Sequence, residues 1–141
     1  MAKIKLKQLD NYSFEYQHTL MVRDINYGGH MGNDALVGIL QEARIDLLRN
    51  MGFSELDLGD GNTGIIMSDL AVNYLGEGFM YDKINVYSNI EDIGNASFRI
   101  YHKVVKGDKT IALAEVGIIA FDYNSRQISS VPDEFLKAVK K

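Results

Sequence analysis

One stretch of the chain repeats its hydrophobic residues with the spacing of a helix, while most of the rest alternates as β-strands do. Within residues 34–51, apolar positions three or four residues apart share one helical face: Leu36, Leu40, Ala43, Leu47 and Met51. Asn33 is predicted to be the N-cap, and Asp34 places a negative charge near the positive end of the helix dipole. Gly52 is expected to end the helix in a left-handed conformation. The pattern therefore predicts one long helix.

The predicted helix is also apolar outside this stripe. The additional apolar residues are Val37, Ile39, Ile45 and Leu48. A helix that is apolar over most of its circumference is usually enclosed on most sides. Gly38, Glu42 and Arg49 lie roughly opposite the main stripe. We therefore expect a curved sheet around the helix, with one narrow face left for solvent, a partner subunit or a ligand.

Five further stretches have the β-branched and aromatic composition of strands. They are residues 12–23, 65–74, 83–90, 96–105 and 110–123. Pro132 lies at a plausible first position of a short C-terminal helix. One buried helix among several strands predicts an α+β fold, in which a five-stranded antiparallel sheet wraps around a long central helix. We expect residues 1–141 to form a single domain.

Composition excludes several classes of function. The net charge is −4, which argues against nucleic acid as a partner because phosphate binding needs a basic surface. The absence of cysteine rules out a thiolate nucleophile, a disulfide or a cysteine-ligated metal. The first ten residues, MAKIKLKQLD, lack the apolar run of a signal peptide, and no stretch has transmembrane length. We therefore predict a cytoplasmic protein that does not bind membranes.

The segment before the helix carries a resemblance to a known family. V-R-D-I-N-Y-G-G-H-M-G-N-D-A, followed by L-Q-E-A-R, resembles the hotdog-fold thioesterases of the 4-hydroxybenzoyl-CoA thioesterase type. Their usual pattern here is D-x-D-x-x-G-H-x-N-N-A and a helix with E-x-A-R. V-N-Y-L at residues 72–75, leading to Asp82, and I-G-N-A-S-F at residues 93–98 resemble later parts of the family. The likeness covers nearly the whole chain.

The resemblance implies a hotdog fold and a homodimer or homotetramer. It also implies acyl-CoA or acyl-carrier-protein thioesters as substrates, bound at the subunit interface. The pantetheine arm would then lie between the helix of one subunit and the sheet of the other. No metal and no redox cofactor is expected. Hotdog proteins do not all share thioesterase chemistry, so the activity has to be argued from the site.

Thioester hydrolysis needs donors that polarise the carbonyl. Backbone N–H groups at a helix N-terminus have no partner within the helix and point outward. Gly28 and Gly29 would let a substrate carbonyl approach this backbone closely, or they simply make a tight turn. One oriented donor contributes roughly 3 kcal/mol in the transition state. We expect the amides near Gly29 to Asn33 to hold the oxyanion.

Hydrolysis also needs a group that activates water, and here the sequence departs from the family. The second Asp of the family pattern, usually the catalytic carboxylate, is Asn26. An amide cannot take a proton at neutral pH, so Asn26 orients water or a carbonyl, or only makes a turn. Glu42 is the predicted replacement, with a structural ion pair to Arg44, Arg49 or a partner subunit as the alternative. His30 is a candidate base, acid or hydrogen-bond donor, or a structural residue.

The remaining candidates have weaker support. Asp24 matches the first Asp of the family pattern, which is usually structural. Tyr74 and Arg99 could line the ligand groove or contact CoA phosphates, or be exposed strand residues. His18 and His102 have no partner at metal-ligand spacing, so no metal site is predicted.

The sequence predicts an acyl-CoA or acyl-carrier-protein thioester hydrolase. Glu42, together with His30 or Asn26, would activate the attacking water. One alternative is a hotdog hydratase or dehydratase, because His30 and Glu42 resemble the His and Glu pair of acyl-carrier-protein dehydratases. Another is a non-catalytic acyl-CoA-binding protein, an alternative that rests on Asn26.

Overall fold

The computed structural model describes residues 3–140 as one antiparallel sheet around a long helix. In chain order the elements are β1 (Phe14–Thr19), α1 (Asn33–Asn50), β2 (Thr63–Tyr74), β3 (Lys83–Glu91), β4 (Ser97–Lys106), β5 (Lys109–Asp122), β6 (Gln127–Ile128) and α2 (Asp133–Val139). The sheet order is β1-β3-β4-β5-β2, and the two-residue β6 pairs with the end of β5. This is the predicted α+β hotdog architecture, with one short strand more than predicted. Neither helix within residues 3–140 is long and apolar enough to cross a membrane.

Alternation along the strands gives the sheet its buried face. In β3, Ile84, Val86 and Ile90 are buried, and the half-buried Asn85 and Tyr87 lie between them. Successive strand residues point to opposite faces of a sheet, so this pattern turns one apolar face towards α1. Burial of the apolar stripe of α1 against that face stabilises the fold through the hydrophobic effect.

The core consists of two clusters along α1. The cluster at the N-terminal half of the helix includes Leu20, Leu36, Leu40, Ile84 and Ile111. The cluster at the C-terminal half includes Leu47, Leu48, Phe98, Ile118 and Phe135. The C-terminal helix joins the second cluster, because the Phe135 ring lies 4.9 Å from that of Phe98 and 5.3 Å from that of Phe53.

The helix exposes more apolar surface than the sequence predicted. Ile39 and Leu48 are buried as expected, but Val37 and Ile45 are 42% and 44% exposed. These two residues are eight positions apart, so they lie on one face, directed away from the sheet. The expectation of a single narrow exposed face was therefore wrong, because the sheet of one chain covers only one side of α1.

Both ends of α1 can be compared with the ends predicted from the sequence. Asn33 is not the N-cap: it is the first helical residue, and Gly32 takes the cap position with φ −69° and ψ 149°. Leu36 N–H donates to the Gly32 carbonyl at 3.2 Å, which closes the first turn one residue earlier than expected. At the other end Gly52 has φ +89°, which confirms the left-handed termination.

The strand predicted for residues 12–23 is too long. β1 ends at Thr19, and after two more bonds between Leu20 and residues 81–82 the chain makes a short 3-10 turn over Val22–Asp24. Pro132 was predicted to be the first residue of the C-terminal helix, but it takes the N-cap position, since α2 begins at Asp133.

One edge of the sheet is an apolar strand with a free side. Among the described residues β2 pairs with β5 and has no strand on its other side, although near its start Ile65 N–H donates to the Glu55 carbonyl at 2.8 Å. Met67 and Leu70 near its middle are 41% and 42% exposed, and the pairing register shifts between Met67 and Asp69. An edge strand with exposed apolar side chains is a template for pairing with another chain.

We predict that Phe135→Ala lowers the free energy of unfolding by about 3–5 kcal/mol, because it leaves a cavity between Phe98 and Phe53. Urea denaturation at a fixed protein concentration measures the change. Lys137→Ala, on the exposed side of the same helix, should change it by less than about 0.5 kcal/mol. A loss below about 1 kcal/mol in Phe135→Ala would show that α2 is not part of the cooperative core.

Candidate active site

A cavity of about 430 Å³ lies beside the N-terminus of α1. It is lined by Asn26, His30, Met31, Asn33, Tyr74, Gly76 and Glu77. Four of these were singled out from the sequence, namely Asn26, His30, Asn33 and Tyr74. The fold brings them together because the loop before α1 and the end of β2 meet at the same end of the helix.

The loop is shaped by Asn26 and the two glycines that follow. The Oδ1 atom of Asn26 accepts a hydrogen bond from Gly28 N–H at 2.9 Å, and its carbonyl accepts one from Gly29 N–H at 3.0 Å. Gly29 has φ +85°, a conformation that favours glycine. A Cβ on Gly28 would lie 3.3 Å from the Nε2 atom of His30. The glycines thus form the tight turn, and they also leave the His30 ring uncrowded.

Two cavity-lining residues of this segment have backbone amides without an acceptor among residues 3–140. The amides of Gly29, Met31 and Gly32 donate to backbone carbonyls. Within residues 3–140 the structure gives no such acceptor for the amides of His30 and Asn33. Asn33 is the first residue of α1, where the helix dipole adds partial positive charge. Both residues line the cavity, so these two N–H groups are the candidate oxyanion donors.

Tyr74 joins the end of β2 to the start of the helix. Its hydroxyl donates to the Asn33 carbonyl at 3.0 Å. Burial, and then the charge of Asp34, raise the pKa of Tyr74, which keeps this hydroxyl protonated. The first turn of α1 is therefore fixed against the strand that forms the free edge of the sheet.

The environment of His30 indicates which ring nitrogen carries the proton. Its Nδ1 atom lies 3.1 Å from the Met31 carbonyl oxygen, which can only accept. We therefore assign the proton to Nδ1, and in the neutral ring Nε2 is then an acceptor. An unprotonated Nε2 can take a proton from water or orient it.

Glu42 does not lie in this cavity. It follows Asn33 by nine positions, which at 100° per residue places it on the opposite side of the helix and about 13 Å further along. It lines a second cavity with Arg23, Asp24, Asp34, Ala35, Gly38 and Ile39. Its Oε2 atom is 3.8 Å from Nδ1 of His18. Glu42 and His30 of one chain therefore do not converge, and Glu42 could reach a site such as this one only from another subunit.

Asp24 has a structural position in the loop. Its Oδ2 atom lies 3.0 Å from Nε2 of His18 and accepts a hydrogen bond from Met21 N–H at 2.9 Å. Burial acts to raise the pKa of Asp24, but the hydrogen bonds from Met21 and His18 outweigh it and hold the pKa below its ordinary value. Its backbone carbonyl accepts from Gly32 N–H at 2.9 Å. Asp24 thus joins the end of β1 to the residue that caps α1.

Arg99 and His102 lie outside the cavity. Arg99 of β4 forms ion pairs with Glu115 of the adjacent β5 and with Asp69 of β2, one strand further away. His102 is buried and its Nδ1 atom is 2.7 Å from the Ser88 hydroxyl. Burial, and then the charge of Arg44, lower the pKa of His102 to about 3, so its ring is neutral. Neither side chain is placed to contact a substrate in this cavity.

Glu77 is a cavity residue that the sequence reasoning missed. It lies in the connection between β2 and β3, between Gly76 and Gly78. An acidic residue flanked by glycines just before Asp82 was the available signal. The sequence prediction relied on the motif around His30 and on α1. The contact between the loop before α1 and the loop that carries Glu77 joins distant parts of the sequence, so the motif did not indicate it.

Comparisons with known proteins agree with this fold. A family model described as the thioesterase-like superfamily matches residues 5–139. No curated protein sequence gives a significant match.

Several solved structures are similar to the chain. The 1,4-dihydroxy-2-naphthoyl-CoA thioesterase of Synechocystis is 14% identical with a TM-score of 0.81, and the match covers 91% of this chain and 96% of that one. A gentisyl-coenzyme A thioesterase is 17% identical with a TM-score of 0.79, covering 89% of this chain and 98% of that one. A probable thioesterase from Escherichia coli is 16% identical with a TM-score of 0.77, covering 90% and 96% respectively. At these identities the likeness shows a shared fold.

We predict that Asp24→Asn destabilises the protein by about 1–3 kcal/mol at neutral pH, because Met21 N–H and His18 lose a charged acceptor. The folded-state pKa of Asp24 is lowered, so its stabilisation is present above the ordinary value of 3.8 and is lost as the pH falls through the lower folded value. Urea denaturation from pH 7 downwards should show wild type and variant converging below pH 3.8. Exposed Asp10→Asn serves as the control. A difference that does not change with pH would contradict the role of the charge.

Proposed function

The chain belongs to the thioesterase-like superfamily, and we propose that it hydrolyses acyl-CoA at the cavity beside the N-terminus of α1. Thioester hydrolysis is the activity that the family and the fold support. The observation that carries the proposed site is the pair of unoccupied amides at His30 and Asn33 in the cavity wall. CoA as the carrier, the acyl group and the catalytic residues are our proposals.

The two amides would stabilise the transition state. As water attacks the thioester carbon, negative charge develops on the carbonyl oxygen. The N–H groups of His30 and Asn33 are held by the loop and the helix, so they need not reorganise to meet this charge. One preorganised donor is worth roughly 3 kcal/mol in reactions of this type.

Asn26 and His30 would orient the attacking water. The Oδ1 atom of Asn26 already accepts from Gly28 N–H, which leaves its amide group as a donor towards the cavity. The Nε2 atom of His30 is an acceptor in the assigned tautomer. A water held between a donor and an acceptor has a lone pair available for attack, but Asn26 itself cannot take the proton.

A second copy of the chain is part of the proposal. The free side of β2 and its exposed Met67 and Leu70 fit pairing with β2 of another copy, which would remove the open edge. Tyr74 ends this strand and lines the cavity. A partner subunit would therefore complete the wall of the cavity and could supply its own Glu42. A tetramer of two such dimers fits the exposed Val37 and Ile45.

We propose an aromatic or small acyl group. Two of the solved neighbours are a dihydroxynaphthoyl-CoA and a gentisyl-CoA thioesterase by name. In this chain Met31 lines the cavity with a flexible apolar side chain and Tyr74 with an aromatic ring. Both side chains can pack against an aromatic or small acyl group. The cytoplasmic location remains a prediction from the sequence.

One alternative has an observation in its favour. Asn26 uses its oxygen in the turn and lacks the carboxylate of the family pattern, which fits an acyl-CoA-binding protein without activity. The hydratase alternative needs His30 and Glu42 in one site, and these residues line different cavities of one chain, so it would require Glu42 of a second copy. Saturable binding without release of thiol would favour the binding protein.

We predict that the wild type releases thiol from at least one member of a panel of short, long and aromatic acyl-CoAs, and that Asn33→Pro lowers kcat about 10²–10³-fold relative to Asn33→Ala. Proline removes the N–H but is tolerated at the first helical position, and Gly32 already has the extended backbone that precedes proline. Asn33→Ala removes the side chain and keeps the N–H. Equal rates for the two variants would exclude this amide as a donor, and absence of thiol release from the whole panel would contradict the hydrolase.

We predict that Leu70→Lys converts the protein to a monomer and abolishes thiol release, because a charge would be buried at the β2 edge without a partner. Sedimentation velocity measures the assembly and the thiol assay measures activity. Ile128→Lys places the same charge on an exposed apolar position of β6 and should leave both unchanged. A Leu70→Lys variant with wild-type sedimentation would show that β2 is not the interface.

A further inference from the structure

We propose that Glu77 is the general base of the reaction, which supplies the carboxylate that Asn26 lacks. This inference rests on the proposed hydrolase function and extends it to a residue outside the helix and its preceding loop. Glu77 lines the cavity together with Asn26, His30 and Asn33. It is the only carboxylate among the residues that line this cavity, within the part of the chain that the structure describes.

The loop that carries Glu77 is fixed on both sides. On one side, Gly76 N–H donates to the Ile111 carbonyl of β5 at 3.1 Å. On the other, the Gly78 carbonyl accepts from Met31 N–H at 2.7 Å. Met31 directly follows His30, so this bond joins the Glu77 loop to the segment that carries the candidate oxyanion donor. Glu77 therefore has a defined position relative to the amides of the cavity.

The two glycines that flank Glu77 pack closely against core side chains. A Cβ on Gly78 would lie 2.6 Å from the Cδ1 atom of Leu20, and one on Gly76 would lie 3.1 Å from the Cγ2 atom of Ile111. Both distances are shorter than ordinary van der Waals contacts. The backbone therefore packs closely against core side chains at both glycines, and Glu77 between them carries the side chain that lines the cavity.

The Glu77 carboxylate is available for chemistry. The structure gives it no hydrogen bond and no ion pair to any described residue, whereas Asp82 in the same loop pairs with Lys106 at 3.1 Å. Lys106 also donates to the backbone carbonyl of Glu77 at 3.4 Å. The backbone of Glu77 is held in place, while its carboxylate oxygens have no partner among the described residues. Such a carboxylate is suited to accept a proton from water.

The charged and titratable groups around this loop come from several elements. They are His30 in the loop before α1, Asp34 at the start of α1, Tyr74 at the end of β2, Asp82 in the loop itself, Lys106 on β4 and Lys109 on β5. Asp34 and Glu42 line the cavity on the other side of the helix. Glu77 is thus the carboxylate that shares a cavity with both candidate oxyanion donors.

The step balances without a cofactor. The Glu77 carboxylate takes one proton from water as the water oxygen forms a bond to the thioester carbon. The oxyanion that results is held by the amides of His30 and Asn33. Its collapse breaks the carbon–sulfur bond, and the leaving thiolate takes the proton from Glu77. The products are a carboxylic acid and free CoA thiol, and the Glu77 carboxylate is regenerated.

The test compares kcat and KM of the wild type with those of Glu77→Gln, Glu77→Ala and Glu134→Gln on the best acyl-CoA of the panel. We expect Glu77→Gln to lower kcat about 10²–10⁴-fold with little change in KM, because the base acts in the transition state and not in substrate binding. Sodium formate should restore part of the activity of Glu77→Ala by acting as a diffusible carboxylate. Glu134→Gln changes an exposed glutamate of α2 and should match the wild type.

The outcomes separate the two proposals. Wild-type turnover in Glu77→Gln would overturn Glu77 as the base while leaving the hydrolase in place. Loss of activity that formate does not restore in Glu77→Ala would also overturn it. If circular dichroism shows that Glu77→Gln does not fold, the role of Glu77 is judged from the activity of Glu77→Ala measured with and without formate. A wild type that binds acyl-CoA but releases no thiol would refute the hydrolase itself, and the base with it.

Discussion

The structure depends on one constraint, which is that a single long helix must bury its apolar stripe against a single sheet. Five strands are enough to cover one side of α1, and they must curve to do so. The curvature leaves the N-terminus of the helix at the rim of the sheet, where its first amides meet the loop before α1 and the end of β2. The candidate active site is therefore a consequence of how the core is closed. It needs no additional element, only glycines and a tyrosine at the points of contact.

The same constraint explains which predictions from the sequence were confirmed. The helix and the strands follow from hydrophobic spacing, which reports directly on burial. Asn26, His30 and Asn33 lie within eight residues of one another, so their proximity is a local property of the loop. Glu42 lies nine positions after Asn33, which brings its side chain to the opposite face of the helix. Its role in activating water therefore stays a prediction that depends on a second subunit.

Contacts between distant segments could not be predicted in this way. The bond from Met31 to Gly78 joins two loops that are more than forty positions apart in sequence, and the position of Glu77 depends on it. The pairing of His18 with Asp24 likewise depends on where β1 ends, and the sequence pattern placed that end four residues too late. The N-cap lies one residue earlier than predicted, because Gly32 and not Asn33 has the extended backbone of a cap residue. The prediction chose Asn33 because asparagine is a preferred N-cap residue.

The edge of the sheet and the candidate site share one strand. β2 runs from the core to Tyr74, whose hydroxyl holds the first turn of α1. A copy of the chain that pairs along β2 would also restrict the movement of Tyr74, and through it the orientation of the Asn33 amide. Assembly and oxyanion stabilisation would then be coupled by a single hydrogen bond between a strand and a helix. In such an arrangement a monomer could keep its fold and still lack a preorganised site, because an isolated edge strand has fewer contacts to hold its end in place.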